Sequence, residues 1–173
     1  MGRKISDFNR EAFSLKKEVE HEILVFQRKI FLKEDGDLFS FDQDTQSFKK
    51  ISEKTKGVKL SPDLRKLVYF TDYEIGIFFL RDIEKEQPQR KKGEKLFLIR
   101  FSEKIENLFW YTSHYLVFNV GKVIKIAEID DRDRLNMYDI GEFSNPQIFW
   151  NKVNEKLYVL DEGNFYSSEE LIR

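Results

Sequence analysis

Cysteine is absent from the 173 residues, and histidine occurs only at His21 and His114. Disulfides, thiol catalysis and thiolate metal sites are therefore excluded, and no H-x-x-x-H spacing offers a zinc site in their place. No apolar run approaches the roughly 18 residues a membrane helix needs, and no signal-peptide core opens the chain. The expectation is a soluble chain without direct membrane insertion. Neither charge sign is in excess, since 30 Lys and Arg against 31 Asp and Glu leave a formal net charge of −1. Nucleic-acid binders carry a basic surplus that displaces counterions from phosphate, so no nucleic-acid partner is expected. Proline (3) and glycine (8) are scarce, which argues against a disordered or collagen-like chain. Aromatics are plentiful instead: 17 Phe, 7 Tyr and 2 Trp favour strands over helices.

One stretch occurs twice. Residues 29–40, KIFLKEDGDLFS, match residues 156–167, KLYVLDEGNFYS, without a gap at a constant offset of 127 residues. Each copy has a basic residue, an apolar run, two acids, a glycine and a second apolar-aromatic run. That order describes a β-hairpin with turn chemistry at Asp35-Gly36 and Glu162-Gly163.

Between the copies, apolar runs of strand length continue. Candidate second strands begin near Ile30, then 37 residues on at Leu67, a further 49 at Leu116 and a further 41 at Leu157. A period of roughly 40–45 residues with four strands per repeat is that of a β-propeller blade. The predicted architecture is all-β, with about four blades at residues 23–52, 57–101, 106–143 and 146–173. The last stops soon after its third strand. Residues 1–22 differ: Phe8, Ala12, Leu15 and Val19 make a helical stripe among charged residues, either a short helix or an extended polar linker.

Four blades are the lower limit for a closed ring. The chain closes alone, pairs with a second copy to complete a larger ring, or is one part of a longer protein. The last is expected. Open blade edges expose apolar surface and strand hydrogen-bonding groups, so self-association through them is also expected.

Chemistry is sparse. Asp35, Asp37, Asp42 and Asp44 lack the uninterrupted alternating ligands of a calcium loop, and hairpin turns account for them. Asp130 to Arg134 alternates charge across a turn, where neighbouring arginines keep carboxylates ionised. The best basic patch is Arg90, Lys91 and Lys92 with Lys95, inside a charged excursion from Arg81 to Glu94. It is a candidate interaction loop for another protein. Trp110, Tyr111, Phe149 and Trp150 stand on incoming strands, where packing between blades or an aromatic groove explains them. No nucleophile elbow, Ser-His-Asp order or phosphate-binding glycine loop is visible. No enzymatic activity, cofactor or metal is expected.

The run from Leu60 to Phe70, with Ser61-Pro62-Asp63-Leu64 at its turn, resembles the repeat core of TolB-type bacterial β-propellers. In those a Ser-Pro-Asp-Gly turn precedes an apolar second strand, and Leu64 stands where that pattern has glycine. From about Glu22 to Ile172 the chain also resembles the C-terminal, WD-like propeller region of bacterial proteins with a PEGA domain. The stretches Arg100 to Asn107 and Ile126 to Asp133 carry that likeness. The resemblance implies a larger propeller, an envelope-anchored and extracytoplasmic parent, and no catalytic residues. The function expected is a non-enzymatic binding or scaffold module for protein–protein interaction. The alternative is a propeller hydrolase or carbohydrate-binding domain whose site forms only in the complete ring.

Overall fold

The computed structural model describes residues 14–84, 88–132, 134–169 and 171. The described chain is all-β, in four antiparallel sheets whose strands follow chain order. Blade 1 holds β1 (His21–Phe26), β2 (Lys29–Glu34), β3 (Asp37–Asp42) and β4 (Ser47–Ser52). Blade 2 holds β5 (Gly57–Leu60), β6 (Lys66–Phe70), β7 (Glu74–Phe79) and β8 (Lys95–Arg100). Blade 3 holds β9 (Ile105–Trp110), β10 (Tyr115–Val120), β11 (Val123–Glu128) and β12 (Met137–Glu142). Blade 4 has three strands, β13 (Gln147–Asn151), β14 (Lys156–Asp161) and β15 (Asn164–Ser167). β9 lies beside both β5 and β13, so the first strand of each sheet is the innermost.

The duplicated hairpin owes its shape to backbone conformation at two residues. Asp35 and Gly36 take φ of 51° and 80°, and Glu162 and Gly163 take 46° and 80°. Positive φ at both central residues is the signature of the two-residue turn whose twist matches paired strands, and glycine bears it at least cost. Leu64 likewise takes φ of 61°, the left-handed conformation that glycine supplies in the related turn. Around it, the Leu64 amide donates to the Ser61 carbonyl and the Ser61 amide to the Lys66 carbonyl, both at 2.9 Å.

Three apolar cores join the four sheets in a row. Phe31, Leu38 and Ile51 of blade 1 pack with Leu67, Phe78 and Leu80 of blade 2. Val68, Phe70 and Ile77 of blade 2 meet Leu108, Trp110 and Leu116 of blade 3. Val117, Ile124 and Ile126 then meet Ile148, Trp150 and Leu157 of blade 4. Period-2 alternation makes this possible, because each sheet turns one set of side chains backward and the other forward.

The register shows where the row ends. Ile30, Leu67, Leu116 and Leu157 pair with Val25, Leu60, Trp110 and Trp150 on the inner strands, and all point toward the preceding blade. Trp110 and Trp150 are buried there, but Val25 has no preceding blade and is 61% exposed. One residue along, Phe31, Val68 and Val117 are fully buried against the following blade. Their counterpart Tyr158 and its partner Phe149 have no following blade, and Phe149 is 58% exposed. Among the described residues, the arc is open at both ends.

The helix considered for the N-terminal stripe does not form over Ser14 to Glu20, which contain only bends; Phe8 and Ala12 lie outside the described residues. Contacts with blade 1 replace helical hydrogen bonds. The Lys16 amide donates to Glu34 Oε1 at 2.7 Å, and the Glu20 carbonyl accepts from Asp35 at 3.0 Å.

The two hairpin glycines share a φ but not a neighbourhood. A methyl group on Gly36 would sit 3.3 Å from the Lys54 Cα, where the chain entering blade 2 crosses the turn, whereas one on Gly163 would meet nothing within 4 Å. Gly163→Ala is expected to cost about 1–2 kcal/mol, the left-handed penalty alone. Gly36→Ala costs more, because it also strains the hydrogen bond from Thr55 to the Gly36 carbonyl. Chemical denaturation of the two variants measures the difference.

Candidate functional site

Antiparallel order places the first and third turns of every blade at the same end of the arc. Two clefts open there, and their electrostatics differ.

The cleft between blades 2 and 3 holds about 360 Å³ and is internally neutralised. Arg90 is held by Glu94 at 2.6 Å and by Asp131, and its guanidinium lies 5.5 Å from the Phe79 ring. Burial works against the Arg90 charge, but the two carboxylates outweigh it and hold the group above its ordinary pKa. Lys66, buried at the start of β6, donates to Asp63 Oδ2 at 2.8 Å. Burial pushes the Asp63 carboxyl up, and Lys66, the Ser61 hydroxyl and the Arg65 amide together bring it below the usual range. Arg132 closes on Asp130 across its own turn.

The cleft between blades 1 and 2 is larger, about 670 Å³, and basic. Its floor is apolar, formed by Phe31, Ile51 and Phe78. Arg28 and Lys29 reach it from the β1–β2 turn, Lys49 and Lys50 from β4, and Lys92 and Lys95 from the approach to β8. Asp42 and Asp44 are the carboxylates on its wall. Three of these cations are occupied: Lys49 with Asp42 at 2.6 Å, Lys50 with Asp37 and Glu53 at 2.8 Å, and Lys95 with the Ile51 carbonyl at 3.3 Å. Among the described residues, Arg28, Lys29 and Lys92 have no carboxylate within ion-pair reach. Burial, then the charges of Lys92 and Arg81, lower the pKa of the Lys29 ammonium.

The candidate loop residues therefore divide. Arg90 turns into the neutralised cleft, Lys92 and Lys95 line the basic one, and the exposed Lys91 lines neither. Arg28, Lys29, Lys49 and Lys50 join Lys92 and Lys95, although sequence reasoning did not single them out. Their only signal was doubled basic residues, at the β1–β2 turn and within β4, and blade-on-blade packing is what brings them opposite Lys92.

The aromatic candidates divide as well. Trp110 and Trp150 are buried between blades. The Trp110 indole donates to the Lys59 carbonyl at 3.0 Å across the interface, and Tyr111 packs edge-on to Trp150 at 4.7 Å. Phe149 stands on the open face of blade 4. Along the innermost strands Lys59, Phe109 and Phe149 follow one another, with the Lys59 ammonium 3.6 Å from the Phe109 ring centre and Phe109 edge-on to Phe149 at 6.2 Å. Burial alone lowers the Lys59 pKa. Among the described residues, no group of three His, Asp or Glu converges as a metal site.

No family model matches the chain, and no curated protein does. Solved structures do. The β-propeller domain of Cps50 (Swd1) from Myceliophteria thermophila aligns with a TM-score of 0.58 at 15% identity, over 87% of this chain and 53% of that one. A proposed 6-phosphogluconolactonase of Bacteroides uniformis aligns with a TM-score of 0.53 at 10% identity, over 88% and 52%. A protein from Lactobacillus plantarum gives 0.50 at 9%, over 87% and 51%. The fold is a β-propeller arc. It spans about half the length of these three structures, and likeness at such identities shows the fold alone.

Asp42 provides a pH test of the basic wall. The Lys49 ammonium, then the amides of Thr45 and Asp44, bring its carboxyl from 3.8 down to about 2. A group depressed on folding contributes stability above its unfolded pKa and loses it as pH falls through the folded one. Asp42 should therefore titrate near pH 2 by NMR. Asp42→Asn should lose stability at neutral pH and flatten the acid limb between about pH 4 and 2.

Proposed function

We propose that this chain is a non-enzymatic interaction module that acts as half of a propeller ring and is completed by a second copy of itself. The observation that carries this reading is the contrast at equivalent positions. Inside the arc, the forward face of each blade is buried on the backward face of the next, whereas the two terminal faces expose the same classes of residue. Phe149, Leu160 and Phe165 lie exposed on blade 4, and Ile23, Val25 and Ile30 lie exposed on blade 1. A head-to-tail contact between two arcs repeats the internal joint, and two arcs of half-ring length return to their start. With a two-fold axis the same joint forms twice, blade 4 of each copy on blade 1 of the other, and no face is left open.

The binding role draws on the innermost strands, where Lys59, Phe109 and Phe149 follow one another as a cation and two rings. A bacterial, envelope-associated parent of the PEGA-domain kind, with TolB-like repeats, is supported by the Ser61-Pro62-Asp63 turn and the Arg100–Asn107 and Ile126–Asp133 stretches. No described helix is long and apolar enough to cross a membrane.

Light scattering coupled to size exclusion tests the ring. The expected mass is twice 20.9 kDa at high micromolar concentration, falling toward one chain on dilution. Phe149→Asp removes roughly 2–3 kcal/mol of apolar burial from each of the ring's two joints and should weaken association by about 10³–10⁴-fold, with the strand signal in circular dichroism unchanged. A monomer at every concentration would overturn the reading.

A further inference from the structure

The basic cleft between blades 1 and 2 lies wholly within one chain, so its role does not depend on how the ring closes. We propose that it binds an acidic peptide segment, with carboxylates on Arg28, Lys29 and Lys92 and an apolar side chain against Phe78 and the lysine stems of the rim.

Three observations select that occupant. The first is charge. Cations from two blades converge on one cleft, and three of them lack a carboxylate partner among the described residues. Lys29 stands close enough to Lys92 and Arg81 to be repelled by both, so an anion between them relieves repulsion as well as forming ion pairs. The neighbouring cleft, built from the same blade ends, neutralises Arg90 with Glu94 and Asp131, so a surplus of positive charge is no general property of these ends.

The second is the floor. Phe31 and Phe78 meet edge-on at 6.1 Å beneath the cations, and both are buried. Phe31 has no exposed surface and Phe78 only 8%, so the apolar contact within the cleft comes from Phe78 and the lysine stems along its rim, which a free inorganic anion leaves uncovered. A ligand carrying both carboxylates and apolar side chains uses the cations and this contact together. The volume of about 670 Å³ holds a few residues of extended chain.

The third is the pair of acids on the same wall. Asp42 accepts hydrogen bonds from Lys49 and from two backbone amides, and it stays ionised down to about pH 2. Asp42 and Asp44 repel every anion beside them, so a phosphodiester, charged at each step and bringing only acceptors, fits that wall poorly. A peptide brings backbone N–H donors that these carboxylates accept, beside side-chain carboxylates for the lysines.

The probe is a fluorescein-labelled octapeptide of alternating Glu and Leu, titrated with the protein and read by fluorescence anisotropy. A Gln–Leu octapeptide and a labelled oligothymidylate of equal length run beside it. The Glu–Leu peptide should bind, and binding should weaken steeply with salt. Lys92→Glu should cut affinity about tenfold, whereas Lys91→Glu, the same charge change one residue away and outside the cleft, should change it by about twofold or less. Lys92 and Lys91 are both exposed, so neither variant threatens folding. Equal binding of the Gln–Leu peptide, equal loss in the two lysine variants, or tighter binding of the oligothymidylate would each overturn the proposal. So would the absence of any Glu–Leu binding at low salt.

Discussion

A propeller blade cannot bury both of its faces by itself, and everything else in this chain follows from that constraint. Each sheet alternates its side chains forward and backward, so an apolar face is satisfied only by the next sheet along. Three such joints hold the chain together, and each joins a forward face of aliphatic and aromatic residues to a backward face opened by Leu60, Trp110 or Trp150. A fourth joint is missing, and its two halves are the exposed faces at the ends of the arc. Burying a Phe or Leu side chain is worth about 1.5–3 kcal/mol, so faces of this kind are strong drivers of association.

The same stacking explains where binding surface arises. Sheets packed face to face diverge at the blade ends, and the turns that cap adjacent blades become opposite walls of a cleft. What fills each cleft depends on which turns face each other. Between blades 2 and 3 the walls carry matched charges, and Arg90 ties them together through Glu94 and Asp131. Between blades 1 and 2 both walls are basic, and ordered ion pairs satisfy only part of the charge. The first cleft behaves as a structural joint, and the second is the one proposed to take a peptide.

Much of the architecture was legible in the chain itself. The duplicated hairpin announces its turn through Asp35-Gly36 and Glu162-Gly163, since glycine at the second turn position relieves the backbone. The spacing of apolar runs gave the blades, because a strand that is buried on both sides cannot hide its composition. Leu64 shows the limit of a motif, for the turn keeps its left-handed residue without glycine and holds its shape through the Ser61 hydrogen bonds. The basic cleft was legible only in part. Lys92 and Lys95 stood out as a run, but Lys29 lies 63 residues earlier, and only the packing of one blade on the next sets them face to face. Nor does composition distinguish Val25, which is open, from Leu60 at the same register position, which is covered. The difference is whether a blade precedes it.

The absence of cysteine makes the central claim directly testable by cross-linking. In the internal joint between blades 2 and 3, Lys59 meets Trp110 through the indole hydrogen bond, and the corresponding pair across the missing joint is Phe149 of one copy with Val25 of the other. Singly substituted V25C and F149C chains, oxidised alone and as an equal mixture, report that contact. A head-to-tail ring predicts a covalent dimer in the mixture and far less in either variant alone. Dimer from F149C alone, with none added by mixing, would mean that blade 4 pairs with itself, and the half-ring account would be wrong.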